Sequence, residues 1–229
     1  MRINKYISLT GFCSRRETER LIEAGRITIN HVVCEHNDTV EPGDLVLIDG
    51  KTIEGKKENV YIILNKPAGI TCTANKGVQS NLIDYINYPD RIFAVGRLDK
   101  ASDGLLLMTN DGDIVNQILR TENNHEKEYL VTVDRLVTDE FVQGMSAGVD
   151  ILDTTTKPCH MSRISDFQFR IILTQGLNRQ IRRMCKVFGY RVERLHRVRI
   201  MNIKIGDLPV GDWRYLTANE LRELIALLD

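Results

Sequence analysis

Residues 54–59, EGKKEN, break the 229-residue chain in two. The stretch is polar and without period, and the segments on either side carry their own apolar sets, so two units are expected, 1–58 and 59–229. Ahead of the break, Ser14-Arg15-Arg16-Glu17 reads as a capping box at a helix start. That helix should run through Leu21 and Ile22 and stop at Gly25, a residue suited to the left-handed turn after a helix. Residues 27–33 and 45–48 are then β-branched and apolar, separated by the turn Glu41-Pro42-Gly43-Asp44.

Beyond the break, strands are expected at 61–65, 93–95, 105–108, 129–133, 167–173 and 191–200. Helices are expected at 114–120, 139–145, 178–188 and 219–228, the last with its own box from Thr217 to Glu220. Strands outnumber helices and no regular βαβ alternation appears. The fold class is therefore α+β: a small α/β unit, then a mixed, mostly antiparallel sheet flanked by helices.

Several classes fall away on composition. No apolar run approaches the ~18 residues of a membrane span, and the basic start MRINKYISLTGFCSRR lacks the apolar stretch of a secretory signal. Five scattered cysteines without a C-x-x-C pair argue for reduced thiols and a cytoplasmic protein. The five histidines show no metal spacing. Net charge misleads, because 31 Lys+Arg cancel 31 Asp+Glu while the cations cluster. From 178 to 199 there are eight basic residues against Glu193 alone. Residues 1–30 carry Arg2, Lys5, Arg15, Arg16, Arg20 and Arg26 against three glutamates. Two basic regions on a neutral chain point to two contact surfaces for a polyanion.

Wound as a helix, NRQIRRMCKVFG at 178–189 places Ile181, Met184, Cys185 and Phe188 on one apolar face. Arg179, Arg182, Arg183 and Lys186 fall on a stripe beside it, which favours phosphate contact over a plain surface helix. The second constellation is Gly96-Arg97-Leu98-Asp99, followed by Asp103-Gly104 and a very apolar strand. An ionised carboxylate beside an arginine suits nucleophilic attack better than proton donation. Spacing alone favours the plainer alternative, in which Asp99 caps a turn and pairs with Arg97.

GRLDKASDGLLLMTNDGD at 96–113 closely resembles the active-site motif of RNA pseudouridine synthases of the RsuA/RluB/RluE/RluF type. NKPAG at 65–69 resembles the start of that family's catalytic domain, KEYLV at 127–131 its second motif, and QGLNRQIRRMCKVFG with RLHRVRI its third. Residues 1 to about 58 resemble an S4 RNA-binding domain. HEKEYLVTV, MSAGV and NRQIRRMC look most like the RluF branch, which implies large-subunit ribosomal RNA.

The resemblance implies site-specific isomerisation of uridine to pseudouridine, with no cofactor and no metal. It makes Asp99 the essential aspartate, Tyr129 the aromatic that stacks on the target base, and Arg182 the partner of the catalytic carboxylate. Leu195 becomes the apolar contact beneath the site, and Arg97 a backbone contact or a support for the flipped base. Arg179 stands where the family often has histidine, which changes a rim contact. Arg183 and Lys186 would grip the strand near the site, and Arg15, Arg16 and Arg20 a neighbouring RNA helix. The expected partner is an RNA stem-loop of large-subunit ribosomal RNA, or else of small-subunit ribosomal RNA or a tRNA anticodon arm, bound by a monomer without a membrane. Attack on C1′ and removal of the C2′ proton both fit Asp99. Two other readings compete: a non-catalytic RNA-binding module, and an aspartate-based phosphohydrolase using Asp99 and Asp103.

Overall fold

A computed structural model describes residues 1–53, 55, 57–75, 77–120 and 124–228. Glu54 and Lys56 of the expected break lie outside the described residues. Two compact units result. The first joins Met1–Val60 with Tyr88–Ile92 and Asn110–Gly112, and the second holds the rest.

The first unit contains α1 (Ile3–Thr10), α2 (Arg15–Glu23), β1 (Ile27–Ile29), β2 (Val32–Val33), β3 (Val46–Ile48) and β4 (Lys51–Thr52). Its antiparallel sheet has the order β2-β1-β3-β4. Ile3 and Ile7 of α1 meet Leu21 and Ile22 of α2 over Ile27, Val46 and Ile48, all buried. The capping box forms by half. Ser14 Oγ accepts from Glu17 N at 3.1 Å, while the Glu17 carboxylate turns to Arg20. Gly25 takes φ +66° after the helix, as its position requires.

Two expectations change here. Residues 27–33 form a hairpin rather than one strand, because Asn30 and His31 adopt φ +50° and +68°. Asparagine tolerates the left-handed region that a two-residue hairpin turn demands. Helix α1 was not expected, although its Ile3 and Ile7 lie one turn apart and are fully buried.

The second unit runs through β5 (Tyr61–Lys66), α3 (Leu82–Ile86), β6 (Phe93–Ala94), β7 (Asp103–Thr109), α4 (Gly112–Leu119) and β8 (Lys127–Val133). It continues with α5 (Asp139–Ala147), β9 (Asp150–Ile151), β10 (Thr154–Thr155), β11 (His160–Ser165) and β12 (Gln168–Leu173). It closes with α6 (Gln180–Val187), β13 (Val192–Ile200), β14 (Ile203–Lys204), β15 (Trp213–Tyr215) and α7 (Ala218–Ala226). The main sheet has the order β11-β12-β8-β13-β7-β5-β15, with β14 beside β13 and β6 beside β7. Among the described pairs only β13 with β7 is parallel, so the sheet is mixed and mostly antiparallel.

Strands β5 and β7 are central and buried on both faces. Ile62, Ile63, Leu64 and all of Leu105, Leu106, Leu107 and Met108 have no exposed surface. Each such side chain contributes about 1.5–3 kcal/mol when removed from water, which accounts for the unbroken apolar run. The parallel junction of β7 and β13 needs glycine. Gly104 has φ +105°, and a Cβ there would lie 2.3 Å from the Arg197 carbonyl oxygen. That close approach brings the loop before β7 against the strand after α6. Helix α6 buries Ile181, Met184 and Cys185 as expected, while Phe188 lies outside the helix, exposed on one side and edge-on to Phe141. Thr217 and Glu220 complete a full capping box at α7.

Candidate active site

A cavity of about 210 Å³ opens where the 95–99 loop, β8, β13 and the 174–180 turn meet. Its wall includes Asp99, Arg97, Tyr129, Leu195 and Arg179, which the sequence had scattered between positions 97 and 195, and also Lys127, Gln180 and Arg197. The strand period explains part of this convergence. Lys127 and Tyr129 alternate on β8, Leu195 and Arg197 on β13, and Tyr129 stands opposite Arg197 in the register.

Asp99 is a third exposed and lies 3.9 Å, through Oδ2, from Nε of Arg182. Arg182 is clamped by the backbone. Its Nη1 donates to the Val192 carbonyl at 3.0 Å, and Nη2 to the Ala101 carbonyl and Ser102 Oγ at 3.2 and 3.3 Å. Nε is buried and has no hydrogen-bond partner among the described residues. The guanidinium is thus held in place with one unspent donor beside the carboxylate. Burial pulls its pKa down, and Asp99 draws it back. An arginine keeps its proton under such conditions.

This arrangement replaces two expectations. The turn-capping alternative paired Asp99 with Arg97, yet Arg97 is exposed at the rim and the carboxylate's arginine is Arg182. The basic stripe of α6 is not uniform either. Arg182 turns inward, Arg183 folds back onto the Asn178 carbonyl and side chain, and Lys186 remains exposed. Arg179 enters the helix from the left-handed region, φ +51°, and is exposed at the cavity rim. Leu195 is buried and lines the cavity. Tyr129 is half-buried, and its hydroxyl makes no hydrogen bond among the described residues. On the first unit, Arg15 and Arg16 are exposed on α2, and Arg20 pairs with Glu17.

Asp103 does not face the cavity as a second free carboxylate. Its Oδ1 meets His196 Nδ1 at 3.0 Å and its Oδ2 meets Arg194 Nε at 2.9 Å. Burial pushes this carboxyl up, but those two partners outweigh it and hold it below the usual range.

Four functional-looking groups escaped the sequence reading. Lys66 is fully buried and donates to the Pro67 and Ile70 carbonyls at 2.8 and 2.9 Å, pinning the NKPAG loop. Burial lowers its pKa, with Cys72, Asp103 and Asp99 opposing. Lys127 and Arg197 line the cavity, and buried Ser102 holds Arg182. A signal was available at Lys66, a lone cation after the apolar YIILN, but not at Arg197, whose strand also holds Arg194, His196 and Arg199. No group of three or more His, Cys, Asp or Glu side chains is placed to hold a metal among the described residues. Likewise no described helix is long and apolar enough to cross a membrane.

The RNA pseudouridylate synthase family matches residues 60–186, and the S4 domain matches residues 1–46. The Escherichia coli K12 dual-specificity RNA pseudouridine synthase RluF is 52% identical over 231 residues, covering the whole of this chain and 80% of that protein. The Bacillus subtilis ribosomal large subunit pseudouridine synthase B is 32% identical over 237 residues, covering all of this chain and 97% of that one. A crystal structure of a pseudouridylate synthase superposes with a TM-score of 0.73 at 25% identity, over 98% and 99% of the two chains. An S4 domain followed by a pseudouridine synthase domain with a mixed sheet and helices is the architecture these matches describe. The chain belongs to the RNA pseudouridine synthase family, as an isomerase of the RluF-like kind.

Proposed function

We propose that the chain isomerises a uridine of a large-subunit ribosomal RNA stem-loop, using Asp99, Tyr129 and Arg182. The observation that carries this is that Asp99, on the wall of a cavity also lined by Tyr129, comes within 3.9 Å of Arg182. At about 210 Å³ the cavity is smaller than the roughly 300–1,000 Å³ of pockets for drug-sized ligands, a scale that suits one base. The target uridine leaves its stack at a cost of a few kcal/mol, least in a loop. Stacking on Tyr129 offsets about 1–3 kcal/mol of that.

With the base in place, Asp99 attacks C1′ or takes the C2′ proton, and the C1′–N1 bond breaks. The uracil turns, and C5 joins C1′ as Asp99 leaves that carbon or as the C2′ proton is returned; C5 then loses its proton and N1 gains one. Atoms and oxidation state are conserved, so the chain's own groups suffice. Arg182 fixes Asp99 and balances its charge. Arg97 and Arg179 meet the RNA at the rim, with Arg183 and Lys186 beyond it. Residues 1–58 serve as the RNA-binding domain, with Arg15, Arg16 and Arg20 on phosphates, and residues 59–229 as the catalytic one.

The large-subunit target draws support from the Bacillus subtilis relative, a ribosomal large subunit pseudouridine synthase, and the "dual-specificity" of the Escherichia coli one keeps a second RNA in view. The test incubates the purified chain with large-subunit rRNA, small-subunit rRNA and tRNA transcripts, then maps pseudouridine by mass spectrometry. A new pseudouridine in a large-subunit stem-loop is expected. Modification confined to the other two RNAs would replace the target, and none in any RNA would remove the reading.

A further inference from the structure

Arg197 carries a donor that the reading above leaves unused. It sits on β13 between Tyr129 of β8 and Gly104 of β7, and only 2% of it is exposed. Its Nε donates to the Leu105 carbonyl at 2.7 Å, which fixes the plane of the guanidinium. Its Nη2 is buried without a hydrogen-bond partner among the described residues, although the side chain lines the cavity. A buried, unpartnered charged N–H is costly, and such a group in a native fold calls for an explanation. Lys127 lines the same cavity, its pKa pushed down by burial and then by the charge of Arg197. Against these cations the cavity wall offers Asp99 as its one carboxylate among the described residues, and Arg182 already stands beside that carboxylate.

The surplus positive charge suits a group that becomes negative deep in the cavity. An RNA phosphate does not fit the position, since the backbone would meet the exposed Arg97 and Arg179 first. Uracil fits, because it offers two carbonyl oxygens and must carry charge as it leaves. We propose that Arg197 donates through Nη2 to a carbonyl oxygen of the flipped uracil and stabilises the negative charge that develops there as the C1′–N1 bond breaks. This rests on the cavity being the base site. The electron pair of the broken bond departs with the uracil and spreads over N1 and the two carbonyl oxygens. When C5 bonds to C1′ the pair is returned, C5 gives up its proton and N1 takes one. Arg197 keeps its own proton throughout. Its contribution is a donor aimed at charge that exists only on the way to product.

The test compares Arg197→Gln and Arg197→Lys with the unsubstituted chain, in single turnover at saturating RNA. Two versions of the target stem-loop are used, with uridine or 5-fluorouridine at the reactive position, and loss of the original N-glycoside is measured by chromatography and mass spectrometry after digestion, because fluorinated C5 has no proton to give up. Fluorine makes the departing uracil less basic, so it needs less stabilisation. Arg197→Gln should slow the uridine reaction by about 10²-fold, the usual scale for one lost donor of this kind. Affinity should stay within about twofold. On 5-fluorouridine the deficit should shrink about tenfold, and Arg197→Lys should recover part of the rate.

An equal deficit on both RNAs would overturn the proposal. So would a loss confined to affinity, with a salt slope flattened by the roughly 0.7–0.9 expected of one phosphate contact. If Arg197→Gln fails to melt cooperatively, Arg197→Lys carries the same two-RNA comparison with the same criteria. Asp99→Asn separates the two ideas. Full activity of Asp99→Asn removes the cavity reading itself, whereas an inactive Asp99→Asn beside a fully active Arg197→Gln removes only Arg197.

Discussion

The cavity and the outer face of α2 hold the same residue type under opposite conditions. Around the cavity, Arg182 and Arg197 are fixed by backbone carbonyls, and each keeps one buried nitrogen unpartnered among the described residues. On α2, Arg15 and Arg16 are exposed, and Arg20 makes only a surface pair with Glu17. In water a guanidinium is a mobile tether whose attraction salt screens over about 10 Å at 0.1 M. Under a low-dielectric wall the same group acts at one atom and resists screening. Under the proposed function, burial would divide the labour: buried arginines to the reaction, exposed ones to holding RNA.

The largest expected effect tests the carboxylate that the buried arginine serves. Asp99→Asn should abolish isomerisation and leave RNA affinity within a few fold, because an amide cannot make the bond or take the proton. Mass spectrometry must exclude deamidation. Substantial turnover by the intact amide would end the assignment.

Arg182→Ala comes next. It strips the clamp and leaves Asp99 unbalanced, so single-turnover rate should fall about 10²-fold or more. Affinity should change little, since Arg182 is mostly buried. Equal losses of rate and affinity would make it a phosphate contact and erase its contrast with α2.

For the exposed side, Arg15→Ala with Arg16→Ala should weaken binding and flatten the log–log salt slope by about 1.4–1.8, at roughly 0.7–0.9 per phosphate contact. The rate at saturating RNA should not move. An unchanged slope would mean that α2 does not touch RNA, while a fallen saturated rate would blur the division of labour.

The smallest effect concerns a structural pair remote from both roles. Hydrogen bonds from Arg214 are the main cause holding Glu220 down, from the ordinary 4.5 to about 2, with Thr217 helping. A depressed carboxyl stabilises the fold above its unfolded pKa, and that stability is lost as pH falls through the folded value. Glu220→Gln should therefore lower the melting temperature modestly at neutral pH. The gap to the unsubstituted chain should close between about pH 4.5 and 2, as melts across that range will show. A gap independent of pH would mean that packing, not charge, is lost.

What the sequence by itself determined was local or periodic. The Ser14 cap, the full box at Thr217, the apolar face of α6 and the unbroken strands β5 and β7 all follow from spacing, since capping and burial act over a few residues. Asp99, Tyr129, Arg182 and Leu195 were nameable from motifs at 96–113, 127–131, 175–189 and 194–200. Their convergence was not. Tyr129 reaches the cavity through the pairing of β8 with β13, and Asp99 through the parallel junction of β7 with β13, which only Gly104 permits. The fate of each arginine was equally invisible, because Arg182 and Arg183 are neighbours in sequence and face opposite environments. A helix turns about a hundred degrees per residue, so adjacent identical side chains part company, and only the packed sheet decides which of them loses its water.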